Sequence, residues 1–368
     1  MSLAQRLRES RDRLGLSQDD VAQRTSIGVS TLSEFENGKR EPRLAQLKQL
    51  AQIYHRNLAF FLDDSVPEPD VVLWRSRPDS SIAHSLEAQL IELVEQYRLL
   101  EEVCEQAAEP ELPWETKKGP GYRYSDASHL AIRTRKSLGL GDRPGQSLLH
   151  VLEEVCNVKV FHFSFEPSGT AACSLTDRYG AAVLLNSRNV RWRRNFDIAH
   201  ELFHLLTWKV FRKGGIESIS IPSEFEEKLA TCFARNLLMP EEVFRDAVDS
   251  QRDAAGVLSI DGLLEVAREF DVSAEAVVRQ IGFVYHMIDP QVEAILAQVQ
   301  QHSWKWDRDG DTPPPRPQRF VALARQALRK GLISTGKYAE FVGVSRREAM
   351  KVAEEEAEAD VQIEIAHS

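Results

Sequence analysis

The stretch Phe196-Asp-Ile-Ala-His-Glu-Leu-Phe-His-Leu-Leu-Thr-Trp208 carries two histidines and a glutamate in the spacing His-Glu-x-x-His: His200, Glu201 and His204. An α-helix turns by about 100° per residue, so the two imidazoles stand one turn apart on one face. Two imidazoles so placed can share one Zn2+, and a glutamate between them can hold the water that attacks a substrate. Asn195 and Asp197 are expected at the helix start, where a cap or a negative charge favours the first turn. Ile198, Ala199, Leu202, Leu205 and Leu206 leave little of the helix polar, which predicts that it is buried.

Catalytic zinc usually keeps three protein ligands and an open position. The segment Ser223–Pro240 offers a third: Glu224, Glu226 and Glu227 precede an apolar run in which Leu229, Ala230, Phe233, Ala234, Leu237 and Leu238 recur at helical spacing. Glu227 stands three, six and seven residues before Ala230, Phe233 and Ala234, which puts it on the inward face. Glu227 is therefore the expected third ligand, and Glu224 and Glu226 are expected to be solvated or capping charges. Cys173 and Cys232 are the cysteines that could enter such a site, although a small buried hydrophobe is the stronger expectation for each.

Around these residues the pattern F-x-x-A-H-E-x-x-H (Phe196–His204), followed by E-x-x-A-x-x-F-A-x-x-L-L-M-P (Glu227–Pro240), resembles the ImmA/IrrE family of metallopeptidases. The resemblance implies a zincin-like domain, a zinc endopeptidase of gluzincin type, Glu227 as third ligand and Glu201 as the catalytic base. Asp197, Phe203 and Thr231 depart from residues common in that family. A repressor is the kind of substrate the resemblance suggests, with this chain itself as one possibility.

Elements before and after must position that site. The chain has 368 residues, 42% of them hydrophobic, which suits two or three domains with a sizeable core. It contains no apolar run long enough to span a membrane. Met1–Ser10 is charged and helical in pattern rather than signal-like, and Cys104, Cys156, Cys173 and Cys232 form no C-x-x-C pair. Both features predict a cytoplasmic protein. The net charge of −10 is unfavourable for whole-chain nucleic-acid binding, but the charge is uneven. The first sixty residues are mildly basic, whereas Glu354, Glu355, Glu356, Glu358 and Asp360 crowd the far end.

Residues 2–14 predict a helix with Leu3, Leu7 and Leu14 on one side and Arg6, Arg8, Arg11 and Arg13 on the other. Ser17 caps a second helix over 18–25, Ser26–Val29 is a tight turn, and Ser30 opens a third helix that Gly38 stops. A fourth follows Pro42, with Leu44, Leu47, Leu50, Ala51 and Tyr54 inward. Two short helices about a four-residue turn are helix-turn-helix grammar. The motifs L-S-Q-x-x-V-A and V-S-x-x-x-x-F-E-x-G-K-R-x-P resemble the XRE (Cro-type) DNA-binding domains. Groove geometry would set Ser30, Thr31 and Glu34 of the third helix at base edges and Gln18 at phosphate or adenine. Lys39, Arg40 and Arg43 would reach phosphates. Such domains usually act as dimers on double-stranded operators, so a homodimer is expected.

Residues 63–79, rich in proline and aspartate, are expected to be a linker, with Trp74, Arg75 and Arg77 able to dock it. Leu86, Leu90, Ile91, Val94, Tyr97, Leu100 and Val103 predict one long amphipathic helix over 80–108, which pairs with its own copy or packs on its own chain. Helices are expected over 125–140 and 147–157, then strands over 158–165, 171–175 and 180–186 forming a small antiparallel sheet. An edge of that sheet can bind an extended peptide by strand addition. His162, within the first strand, is expected to be packed or at the surface. Asp307–Asp311 lacks the order of a calcium loop, Thr312–Pro317 reads as a second linker, and a helical unit closes the chain.

The fold class expected is α+β, mainly helical. It has an all-α helix-turn-helix domain at 1–64, a linker and long helix at 65–120 and a zincin-like domain at 121–290. A linker at 291–317 leads to a C-terminal helical tail at 318–368. The function expected is a DNA-binding transcriptional regulator with a zinc-dependent endopeptidase domain. The alternative is a non-proteolytic regulator or antitoxin-like protein whose zinc site is structural or sensory. Glu201 argues against that alternative, because a structural site has no need of it.

Overall fold

The computed structural model describes residues 1–56, 58–62, 71–117, 121–212, 222–301 and 312–361. Asp307–Asp311, Gly119, Pro120 and residues 63–70 of the expected linker lie outside them. The chain divides into two compact units: Met1–Asp70 with Arg77–Ala107 and Ala322–Ser368, and Val71–Ser76 with Ala108–Val321.

In the first unit, helices α1 (Leu3–Arg13), α2 (Gln18–Arg24), α3 (Val29–Glu36), α4 (Leu44–Ile53) and α5 (Leu58–Leu62) surround Leu7, Val21, Ile27, Leu32, Phe35, Leu47 and Leu50. Ser2 and Ser17 close capping boxes with Gln5 and Asp20, which satisfies backbone N–H groups that the helices leave unpaired. Gly38 has φ +67°, the left-handed turn expected there. Three details differ from the sequence reading. The third helix starts at Val29, capped by Gly28, rather than at Ser30. Leu44 is 70% exposed because it is the first residue of its helix, ahead of the turn that faces the core. Arg6 is buried: its Nη1 donates to the Phe60 carbonyl at 2.7 Å and its guanidinium lies over the Phe60 ring.

Helix α6 (Ser80–Val103) is a single amphipathic helix, as its periodicity predicts. It packs on its own chain: Glu92 meets His55 at 2.7 Å and Glu95 meets Arg56 at 3.7 Å.

The second unit is built on a four-stranded sheet of order β1-β3-β4-β2, formed by β1 (Val72–Trp74), β2 (Lys159–Phe163), β3 (Ala172–Thr176) and β4 (Gly180–Asn186). The expected all-antiparallel sheet is corrected to a mixed one. The β3–β4 hairpin is antiparallel, but β2 runs parallel to β4, Phe161 opposite Leu184. The reason is topological: the chain leaves β2, crosses to the far side of β4 to make β3, and returns by the tight turn before Gly180. β1 was missed. It lies in the stretch read as linker and pairs antiparallel with β3, Leu73 opposite Cys173.

Helices α7 (Tyr124–Ser137), α8 (Leu148–Glu154), α9 (Arg191–Leu206), α10 (Trp208–Phe211), α11 (Glu224–Leu238), α12 (Glu241–Ser250), α13 (Ile260–Phe270), α14 (Ala274–Val284) and α15 (Asp289–Gln300) complete this unit. α9 packs on β3 and β4, and α11 lies against α9 and α7. Ile198, Ala199, Leu202, Leu205 and Leu206 are all buried, as expected of α9. The helix begins earlier than expected, after Val190, so Asn195 and Asp197 are interior rather than capping. Asn195 donates to Asp271 at 2.7 Å. Asp197 is fully buried and is held by Arg75 at 2.8 Å, Asn189 at 2.9 Å and Arg193 at 3.0 Å.

The first unit resumes at Ala322, within α16 (Gln318–Arg329), and continues through α17 (Thr335–Val342) and α18 (Arg346–Val361), with Ser334 capping α17 and Gly343 stopping it at φ +77°. Cys104, at the end of α6, lies 3.5 Å from the Leu323 carbonyl of α16.

Candidate metal centre

One turn of α9 separates His200 from His204, and the first turn of α11 brings Glu227 against both. Ser223 caps α11 by accepting from the Glu226 N–H at 3.1 Å, which fixes where the three acids of that turn point. Nε2 of His200 is 3.0 Å from Glu227 Oε2, and Nε2 of His204 is 3.2 Å from Glu227 Oε1. The two Nε2 atoms are 3.3 Å apart. All three ligand atoms fall within 4.8 Å of one another, a separation one cation could bridge.

Glu201 is completely buried beside them, and neither of its carboxylate oxygens has a regular hydrogen-bond partner among the described residues. Its polar neighbour is the thiol of Cys173 on β3. A buried carboxylate without partners is costly in a merely structural role. His200 Nδ1 is likewise buried without a partner. The donor set fits zinc: two imidazole nitrogens and a carboxylate converge, and an unpartnered carboxylate stands next to them.

The electrostatics follow from burial and from those contacts. Burial pulls His200 down to about 3. Burial pulls His204 the same way, but its hydrogen bonds to Glu226 and Glu227 outweigh this and raise it to about 9. Burial pushes Glu201 up to about 7, close to the value a proton shuttle needs. Glu227 is held at about 2 because the two histidines outweigh the cost of burying it.

Glu226 corrects the sequence reading. Expected to be solvated or capping, it is buried, accepts from His204 Nδ1 at 3.0 Å and pairs with Arg212 at 2.5 Å. A carboxylate on the far nitrogen fixes the tautomer and aims Nε2 inward. The signal was present: Glu226 stands four and seven residues before Ala230 and Phe233, as inward a register as that of Glu227. Glu224 is solvated, as expected, and pairs with Lys228. Arg75 and Arg212, which contact Asp197 and Glu226, were also missed as site residues. Cys232 sits by Ser128 and the Tyr124 carbonyl instead of joining the cluster. His162 is half-buried, and desolvation pulls it down to about 4. Phe203, a departure from the family pattern, packs its ring against Tyr122, Phe211, Phe233 and His204.

The candidate DNA-contact residues lie on or beside α2, α3 and the start of α4. Ser30, Lys39, Arg40 and Arg43 are exposed, while Thr31 and Glu34 are half-buried. Glu34 is 3.7 Å from Arg40. Gln18 donates to Glu36 at 2.8 Å, and Arg11 grips the same carboxylate at 2.7 and 2.9 Å. That clamp joins α1, α2 and α3.

Residues 2–59 match the family described as a helix-turn-helix domain, and residues 153–281 match the IrrE N-terminal-like domain. Over 62 residues, 17% of this chain, the sequence is 34% identical to the HTH-type transcriptional regulator ImmR of Bacillus subtilis (strain 168). The matched stretch spans 49% of that regulator, about half its length. No helix among the described residues is long and apolar enough to cross a membrane. The chain thus carries a helix-turn-helix domain and an IrrE N-terminal-like domain, and inside the second match lie buried His200 and His204 with half-buried Glu227 on α9 and α11.

Proposed function

We propose that the chain is a cytoplasmic DNA-binding transcriptional regulator that carries a zinc-dependent endopeptidase. The observation that carries this reading is the convergence of His200, His204 and Glu227 beside the buried, unpartnered carboxylate of Glu201. His200, His204 and Glu227 would hold Zn2+, which when bound supplies Lewis-acid activation of a water and of the scissile carbonyl. Glu201 takes a proton from the attacking water and delivers it to the leaving amine. Glu226, clamped by Arg212, keeps His204 in the tautomer that points Nε2 at the centre. An edge strand of the sheet would align an extended peptide, and the substrate would be a protein, either a repressor or this chain itself.

The helix-turn-helix domain is proposed to bind a double-stranded operator as a homodimer. Ser30, Thr31 and Glu34 would face base edges, Gln18 a phosphate or an adenine, and Lys39, Arg40 and Arg43 phosphates. ImmR carries the word transcriptional regulator in its name, and the similarity to it covers this part of the chain.

The experiment is cleavage of regulators encoded beside this chain by the zinc-loaded protein and by Glu201→Gln. Glu201→Gln should keep fold, metal and DNA binding and lose about 10²–10⁴-fold in cleavage rate. If it regulates as the wild type does while His204→Ala does not, the centre is structural or sensory and the peptidase reading is wrong.

A further inference from the structure

The side of β3, the strand whose Cys173 neighbours Glu201, is already covered by a piece of the chain from elsewhere in the sequence. β1 has only three ladder residues, but its bonding to the β3 segment runs further. Ser174 Oγ donates to the Val71 carbonyl at 2.7 Å, and the Arg75 N–H donates to the Ala171 carbonyl at 3.2 Å. Ser76 and Thr170 exchange bonds of 3.1 and 2.7 Å. Val71–Ser76 therefore lies extended along β3, while its unit resumes in sequence only at Ala108.

The segment also faces the chemistry. Opposed residues in an antiparallel ladder project to the same face. Leu73 opposes Cys173, whose thiol neighbours Glu201, and both belong to the core that α9 covers. Trp74 turns the other way, edge-on to Phe165 with ring centroids 5.9 Å apart. Arg75 reaches α9 and binds Asp197 at 2.8 Å, one turn before His200. Its guanidinium lies 5.7 Å from the centre of the Phe196 ring.

We infer that the β3 edge is the peptide-binding edge of the metal centre, and that β1 is the chain's own stand-in for its substrate. The inference rests on the peptidase reading above and adds a substrate class to it: an extended peptide with the pattern apolar, apolar, aromatic, basic, as in Val72-Leu73-Trp74-Arg75. Main-chain bonds to an edge strand give affinity, and alternate side chains set specificity. Here the apolar side chain at the position of Leu73 fills the α9 face, the aromatic one at Trp74 packs beside Phe165, and the basic one at Arg75 meets Asp197. A substrate must displace β1, so the segment also holds the resting enzyme in check.

The test is binding of a fluorescent synthetic peptide, Asp-Val-Val-Leu-Trp-Arg-Ser-Arg, which copies residues 70–77, to the full-length zinc-loaded chain. Glu201→Gln is the background, so the peptide is not consumed and the result stands whether or not the wild type cleaves anything. Adding Leu73→Pro removes a ladder N–H. Adding Arg75→Glu instead breaks the contact with Asp197 from a half-exposed position, and serves if the proline variant melts early. Either should bind the peptide at least about tenfold more tightly than the background alone, and a peptide carrying Arg75→Glu should lose that gain. Equal affinity for strap-weakened and background protein overturns the inference, as does indifference to the arginine. A cut between Val71 and Arg77 in the zinc-loaded wild type also overturns it, because the segment is then a substrate rather than a stand-in.

Discussion

At the scale of single residues, His204 is the most constrained member of the centre. Glu227 meets its Nε2 and Glu226 its Nδ1, and Arg212 secures Glu226 in turn. Glu226→Ala should weaken zinc binding about 10–100-fold, read by competition with a chromophoric chelator. Glu226→Gln, which still accepts from Nδ1, should recover part of that loss, a pattern that simple destabilisation would not give. A separate residue sets a pH dependence. Glu153 on α8 is 9% exposed, and burial, aided by the neighbouring Glu154, pushes it up to about 8. The folded state therefore binds a proton more tightly than the unfolded chain, whose carboxyl titrates near its ordinary value of 4.5. Its contribution to stability is complete below that value and lost as pH rises through about 8. Thermal melts of wild type and Glu153→Gln should diverge with rising pH, the variant gaining on the wild type between pH ~5 and ~8.5.

At the scale of elements, what repeats locally was legible and what depends on distant pairing was not. α9 and α11 announce themselves through helical spacing of their apolar residues, and with them come His200, His204 and Glu227. β2, β3 and β4 were visible as short apolar runs. The parallel pairing of β2 with β4 was hidden, because nothing in either strand encodes the crossover between them. β1 was hidden more deeply: three residues in a proline- and aspartate-rich stretch acquire strand structure only from β3. The start of α9 was misplaced because Arg191–Arg194 resembles a solvated loop, and Asp197 resembles a cap until Arg75 arrives from 122 residues away. One close backbone approach packs the turn before α8 against the end of α13. A Cβ on Gly145, in the short 3-10 turn Pro144–Gln146, would stand 2.9 Å from the Phe270 carbonyl and 3.4 Å from the Asn195 amide. Gly145→Ala should cost about 1–3 kcal/mol in chemical denaturation, since a backbone carbonyl cannot step aside as a side chain can.

At the scale of the whole molecule, an acidic chain carries a locally basic helix-turn-helix domain, and the two units divide the labour proposed for them. The DNA reading makes a prediction with two distinct signatures. Arg40→Ala should weaken binding to all sequences alike and lower the salt slope by about one, whereas Thr31→Ala should change which base is preferred. Selection from a random library followed by salt titration separates the two, and recovery of no preferred sequence would contradict the operator assignment. The role proposed for the second unit depends on what His200, His204 and Glu227 hold. The most direct measurement is elemental analysis of purified protein for zinc per chain, across wild type, Glu201→Gln, His204→Ala and Glu227→Ala. A zinc centre held by these three side chains predicts about one zinc in the wild type and in Glu201→Gln, and close to none in the two ligand variants under the same wash. Full zinc in His204→Ala or Glu227→Ala, or its loss in Glu201→Gln, would contradict it.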